Sequence, residues 1–139
     1  MKIRITALLL LSVLLICSAA AIPAYADGPS VYYPNWSNWT ADVSNEDYEF
    51  SVSKQRLTTK YDREVSFYGG GECPFEIVNH GTIYYGMFSG SVTNTGTIKG
   101  GIYTGYVQNF GSINSGTFTG RVVNNYWCNI SGGTFSYDA

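Results

Sequence analysis

The stretch "GTIKGGIYTGYVQNF", Gly96 to Phe110, decides the fold, because its neighbours repeat it. "GTIYYGMFSGSVTNT" (Gly81 to Thr95) precedes it and "GSINSGTFTGRVVNN" (Gly111 to Asn125) follows, three copies of a 15-residue unit without a gap. Aligned, they read G-[TS]-I-x-x-G-x-[FY]-[ST]-G-x-V-x-N-x, with Ile83, Ile98 and Ile113 in one column and Phe88, Tyr103 and Phe118 in another. Val92, Val107 and Val122 form a third apolar column, followed two places on by Asn94, Asn109 and Asn124. The pattern extends backward through Ile77 and Asn79, with Cys73 in the Phe column. Forward it decays: Cys128 takes the Ile column and "GGTFS" arrives two residues late.

Glycine at this density costs about 1 kcal/mol per position in a helix, and Ile, Val, Thr and Tyr favour extended backbone. The units are therefore short strands joined by Gly and Asn corners. In an antiparallel meander, identical units of odd length would face alternating surroundings. A solenoid removes that conflict, since each column stacks on itself at the strand spacing of about 4.8 Å. The expected fold is all-β: a single-stranded β-solenoid of about four 15-residue coils over residues 72–139. Ile, Phe and Val point inward from three short sides, and Asn serves a corner or stacks inward as an amide ladder.

The rest of the chain divides in two. Residues 1–26 read as a signal peptide: Lys2 and Arg4, an apolar run from Ile5 to Ile16, then Ala24-Tyr25-Ala26 before cleavage at Asp27. The expected mature protein is secreted and, once the leader is cleaved, free of the membrane. Residues 27–71 are charged and aromatic and read as a small, partly irregular N-terminal cap over the first coil. Alternation at Tyr48, Phe50 and Val52 and at Val65 and Phe67 predicts two short strands there. Gly69-Gly70-Gly71 marks a flexible joint. Ten acids against six bases from Asp27 onward argue against nucleic acid, whose affinity rests on cations against phosphates.

Signals for catalysis are weak. His80 is the single histidine and sits beside a corner glycine. Ser51-Val52-Ser53-Lys54 matches S-x-x-K without the partner motifs of serine acyl enzymes. Asp62 and Glu64 would share a face of an extended segment within a solvated charge mix. Calcium-binding coils need an aspartate in each turn, which these lack. No cofactor and no enzymatic activity are expected. Cys73 and Cys128 lie 55 residues apart, nearly four coils or roughly 17 Å, beyond the reach of a disulfide.

Aromatic residues are the more informative feature, with 12 tyrosines in 139 residues. Tyr84, Tyr85 and Tyr106 occupy outward positions, Tyr84 beside Lys99 and Tyr106 beside Arg121 one coil on. "VYYPNWSNWT" adds Tyr32, Tyr33, Trp36 and Trp39. Exposed aromatics beside polar groups suit sugar faces or partner proteins, so these seven are the candidate ligand-binding residues. The same side chains could instead brace the cap and coils. Asn35-Trp36-Ser37, Asn38-Trp39-Thr40 and Asn129-Ile130-Ser131 also match the glycosylation sequon, which counts only in a eukaryotic secretory route.

The units "GTIYYGMFSGSVTNT" and "GSINSGTFTGRVVNN" resemble the Gly-, Thr- and Asn-rich repeats of bacterial secreted surface proteins with adhesin-like β-solenoids. That resemblance covers about Glu76 to Ala139, concerns architecture, and implies a structural or binding role at the cell exterior with a glycan or surface protein as partner. A polysaccharide-acting enzyme built on a β-helix is the alternative of another class, and a self-assembling subunit joined end to end is a third. Some antifreeze solenoids resemble the chain in period, but only Thr117-Phe118-Thr119 has their T-x-T form, so ice binding is not expected.

Overall fold

The computed structural model describes residues 28–136; the signal peptide assigned to residues 1–26 lies outside them. The chain winds as a β-solenoid of about 5 turns. Three sheets run along it, each built from one column of the repeat. The Ile sheet has six strands in the order Ser30–Tyr32, Glu64–Phe67, Thr82–Tyr85, Thr97–Ile98, Ser112–Ile113 and Asn129–Ile130, all parallel. The Phe sheet stacks Met87–Phe88, Ile102–Tyr103, Thr117–Phe118 and Thr134–Phe135, with Cys73 bridged to Phe88 at its start. The Val sheet stacks Glu76–Asn79, Val92–Asn94, Val107–Asn109 and Val122–Asn124, and continues backward through Arg56–Thr59, Tyr48–Ser51 and Val43–Ser44.

The register is that of the sequence alignment. Ile98 lies against Ile83 and Ile113, Tyr103 against Phe88 and Phe118, and Val107 against Val92 and Val122. Except for Val122, at the last turn, these inward side chains are buried. Phe88, Tyr103, Phe118 and Phe135 form one column of stacked rings with centroids 4.8–5.2 Å apart, as the strand spacing dictates. Tyr103 keeps its place in this dry column because its hydroxyl donates to the Gly100 carbonyl at 3.0 Å, and burial raises its pKa.

Asparagine forms the inward ladder. Asn79 Nδ2 donates to Asn94 Oδ1, Asn94 to Asn109 and Asn109 to Asn124, each at 2.7 Å. The same amide groups reach the Gly81, Gly96 and Gly111 carbonyls at 3.1–3.3 Å, tying each rung to the corner that follows it. Asn79, Asn94 and Asn109 are fully buried, so a rung left unpaired would cost about 1–3 kcal/mol. The adjoining corner has room for glycine alone. A Cβ on Gly96 would lie 2.0 Å from the Gly81 carbonyl oxygen, and one on Gly111 2.1 Å from that of Gly96.

Two features differ from the sequence reading. Part of the segment assigned to the cap is itself a coil: Arg56–Thr59 pairs parallel with Glu76–Asn79, and Glu64–Phe67 with Thr82–Tyr85. Leu57 takes the Val column, Val65 the Ile column, and Thr59 the Asn column, where its hydroxyl donates to Asn79 Oδ1. These offsets are 20 and 18 residues, not 15, which hid the turn from a fixed-period alignment. The covering elements are Ser30–Tyr32, the 3₁₀ turn Trp36–Asn38 and the antiparallel pair Val43–Ser44 with Tyr48–Ser51.

The second difference is a correction at the other end. Cys128 does not occupy the Ile column; Ile130 pairs with Ile113, and Phe135 with Phe118. The two extra residues are absorbed at the corner before Asn129, where Trp127 takes a left-handed φ of 68° and is 103 % exposed. Trp127 thus does not fold over the last coil. The two cysteines among the described residues are free, Cys73 buried and Cys128 partly exposed.

Candidate functional site

The outward faces of a solenoid repeat at the coil spacing, so one aromatic per coil at the same place becomes a stack. Tyr85 lies at the end of Thr82–Tyr85, where the Ile sheet turns toward the Phe sheet. A register shift between Val65 and Ser66 sets Ser66 opposite Tyr85, where an unbroken ladder would have set Phe67. Tyr68 lies against Tyr85, ring centroids 4.6 Å apart and planes 14° from parallel. Tyr33 extends the stack, 6.2 Å from Tyr68. The backbone N–H of Tyr68 donates to the Tyr32 carbonyl at 2.8 Å, which fixes this strand end. Tyr33 is 78 % exposed, Tyr68 is exposed and Tyr85 is half-buried. In the next coil the column holds Gly100, so no side chain covers the far face of Tyr85 from that position.

Beside this stack runs a polar relay. Lys99 Nζ donates to the Tyr84 hydroxyl at 2.9 Å and lies 4.6 Å from the centre of the Tyr84 ring. The Tyr84 hydroxyl in turn donates to Glu64 at 3.3 Å. The hydrogen bond with Tyr84 raises the Lys99 pKa, so the cation is fully charged at neutral pH. Tyr84 and Tyr85 therefore present an aromatic face and a fixed cation side by side.

The N-terminal aromatics behave differently. Trp36 is 5 % exposed and packs on Trp39 at 4.8 Å, Phe67 at 5.7 Å and Phe75 at 6.3 Å. Trp39 meets Phe50 edge-on at 5.0 Å and stacks on Tyr48 at 5.7 Å. Tyr32 packs on Tyr48 at 4.8 Å and its hydroxyl donates to Asp47; burial first, then that carboxylate, raises its pKa. Tyr32, Trp36 and Trp39 thus brace the cap, Trp36 buried and Tyr32 and Trp39 half-buried. Edges of Trp36 and Trp39 nevertheless line a groove of about 650 Å³ together with Phe75, Gln55 and Glu72. Tyr106 is exposed on the Val-sheet side, with Arg121 one coil on, away from the tyrosine stack.

The residues weighed for catalysis are spread out. His80 stacks on Tyr61 at 4.5 Å, and its Nδ1 lies 2.7 Å from the Thr95 hydroxyl. Ser51 ends its strand and its hydroxyl sits 3.2 Å from that of Ser53, while Lys54 lies in the exposed turn beyond. Asp62 has a left-handed φ of 58°, so it is not in the extended segment that would pair it with Glu64. Asp42, Glu49, Lys54, Arg56 and His80 line a shallow concavity of about 520 Å³ on the Val sheet, in which Arg56 is already bridged to Glu76 at 2.8 Å. Among the described residues, no group of three His, Cys, Asp or Glu side chains could hold a metal ion.

Tyr68, Phe75, Gln55 and Glu72 were missed by sequence reasoning. Tyr68 had one available signal, its place directly after the alternating Val65 and Phe67; the register shift between Val65 and Ser66 has none. A scan against protein-family models found no match, and searches of curated proteins and of solved structures also returned none.

Proposed function

We propose that this is a secreted, non-catalytic β-solenoid that binds or scaffolds at the cell exterior in the manner of an adhesin-like repeat protein, with a glycan or surface protein as partner. The observation that carries the reading is the Tyr33–Tyr68–Tyr85 row, Tyr68 stacked on Tyr85 at 4.6 Å and Tyr33 tilted against Tyr68 at 6.2 Å, with the Tyr84–Lys99 pair beside it. Aromatic faces flanked by a cation and hydroxyls offer dispersion to the apolar face of a sugar or side chain, together with directional polar contacts. The charged concavity on the Val sheet favours a polysaccharide-acting enzyme less, since its arginine is engaged and its acids are unpaired by any base at bonding distance.

The mature chain, checked by mass spectrometry for an N-terminus at Asp27, should give saturable signals on a glycan or surface-protein array. Tyr85→Ala should abolish them with the circular dichroism spectrum unchanged. Array binding that survives both Tyr85→Ala and Tyr33→Ala would remove the basis of the reading. Release of products from arrayed polysaccharide would favour the enzyme instead.

A further inference from the structure

We infer that the groove under the 3₁₀ turn is a second, separate binding site, and that it takes a single neutral sugar ring of an oligosaccharide. Its starting point is one atom. Among the described residues, Trp36 Nε1 is the one buried side-chain nitrogen or oxygen without a hydrogen-bond partner. Every inward amide of the asparagine ladder is satisfied, so this orphan is not a general looseness of the fold. A buried donor in such surroundings calls for an acceptor from outside the chain.

The surroundings of that edge are built. Gly69, Gly70 and Gly71 all adopt left-handed backbone, with φ of 74°, 69° and 73°. A Cβ on Gly70 would sit 2.0 Å from the Pro34 carbonyl oxygen and 3.3 Å from Trp36 Cδ1, the carbon bonded to Nε1. Gly70 also lines the groove. Gly70 thus lies against the indole edge where both line the groove, and because the N–H itself is buried, a ligand reaches it once this glycine segment shifts, which backbone without side chains permits.

The polar inventory of the groove selects the ligand. The indole offers a donor only, while the exposed Glu72 carboxylate accepts only. The Gln55 amide gives one N–H to the Val52 carbonyl at 2.8 Å, which leaves its second N–H to donate and its oxygen to accept. Ser37 and Thr40 also line the groove, and the rest of the wall is apolar, from Trp39, Val52, Pro74 and Phe75. A ligand must present hydroxyl groups that both donate and accept around an apolar ring face, which describes a pyranose. A volume of about 650 Å³ lies within the range of roughly 300–1,000 Å³ typical of small-molecule sites. The inference deepens the binding reading above by naming a ligand class, but it rests on different side chains from the tyrosine stack.

The experiment uses the mature chain labelled with nitrogen-15. Its tryptophans are Trp36, Trp39 and Trp127, so three indole N–H resonances report, and the solvent-exposed Trp127 is an internal control. Titration with glucose, galactose, mannose, N-acetylglucosamine and their short linear oligomers should shift the Trp36 resonance saturably, leaving Trp127 in place. Trp36→Phe keeps a ring but removes the donor, and Glu72→Gln lies on the surface; each should weaken binding about tenfold, the worth of one well-placed hydrogen bond. If Trp36→Phe does not fold, Glu72→Gln alone carries the comparison. No saturable shift of Trp36 with any sugar at millimolar concentration would overturn the inference, leaving the indole paired with water. So would a shift produced by tyrosine-containing peptides and not by sugars. Because Tyr85→Ala leaves this groove untouched, loss of array binding in that variant with the Trp36 shift retained separates the two sites.

Discussion

Replacing Asn94 by alanine removes the middle of the ladder. The Asn94 side chain donates to Asn109 Oδ1 at 2.7 Å, the Ser112 carbonyl at 3.1 Å and the Gly96 carbonyl at 3.3 Å, and accepts from Asn79 at 2.7 Å. The amide has two N–H hydrogens to share among its three acceptors, so with the accepted bond it makes about three full bonds, worth about 1.5–4.5 kcal/mol at a net 0.5–1.5 each. The neighbours are not wholly orphaned: Asn79 keeps the Gly81 and Thr97 carbonyls, and Asn109 Oδ1 keeps the Gly111 N–H at 3.2 Å. The expected loss is therefore about 2–4 kcal/mol. Asn124, the exposed last rung, accepts from Asn109 and donates to the Cys128 carbonyl at 2.9 Å, and its replacement by alanine should cost below about 1 kcal/mol. Urea unfolding followed by circular dichroism would measure both variants, compared at unchanged slope. Equal midpoints for Asn94→Ala and Asn124→Ala would refute the claim that buried amide pairing, rather than the apolar columns alone, holds the coils in register.

Three further outcomes are expected. Thiol reagent on the native protein should modify Cys128 quickly and Cys73 only on unfolding, because Cys73 is buried and burial pushes its thiol up to about 12; as an acid with a raised folded pKa, Cys73 leaves stability untouched below the ordinary thiol value and lowers it as pH rises above, so a Cys73→Ala variant should show a smaller alkaline decline in pH-dependent unfolding, the remainder at higher pH coming from the buried tyrosines. Tyr103→Phe should change stability by no more than about 1 kcal/mol, whereas Tyr103→Ala should cost about 3–5 kcal/mol by opening the ring column; similar losses for the two would mean that the hydroxyl, not the stacking, places this ring. Trp127→Ser should leave the unfolding midpoint unchanged, and a lower midpoint would show that this exposed corner covers the last coil after all.

The repeat made the solenoid legible because each column imposes the same demand on every coil. Ile, Phe or Tyr, and Val recur at places that must all face inward, and a stack of identical coils satisfies them together. Asn at a fixed offset already implied a ladder or a corner, and burial settled it as the ladder. Glycine beside it followed from the close approach of successive corners. Where the offset changes, that legibility ends. The turn through Leu57 and Val65 has different spacing from its successor, and Ile130 sits 17 residues after Ile113, so parallel pairing had to be formed in space before these residues found their columns.

The outward aromatics show the same division. Tyr84 beside Lys99 was readable, since one coil separates them and the column is regular. Trp36 and Trp39 were not, because whether an indole is exposed depends on Phe67, Phe75 and Tyr48 arriving beneath it from other turns. Tyr68 meets Tyr33 and Tyr85 from a turn whose offset to the next is 18 residues and whose register shifts at Val65/Ser66. Sequence alone determined the coil, its inward columns and its ladder, because those are periodic and local to one unit. Tertiary structure alone decided which rings are buried and which are stacked in solvent, because that depends on contacts between turns that share no period.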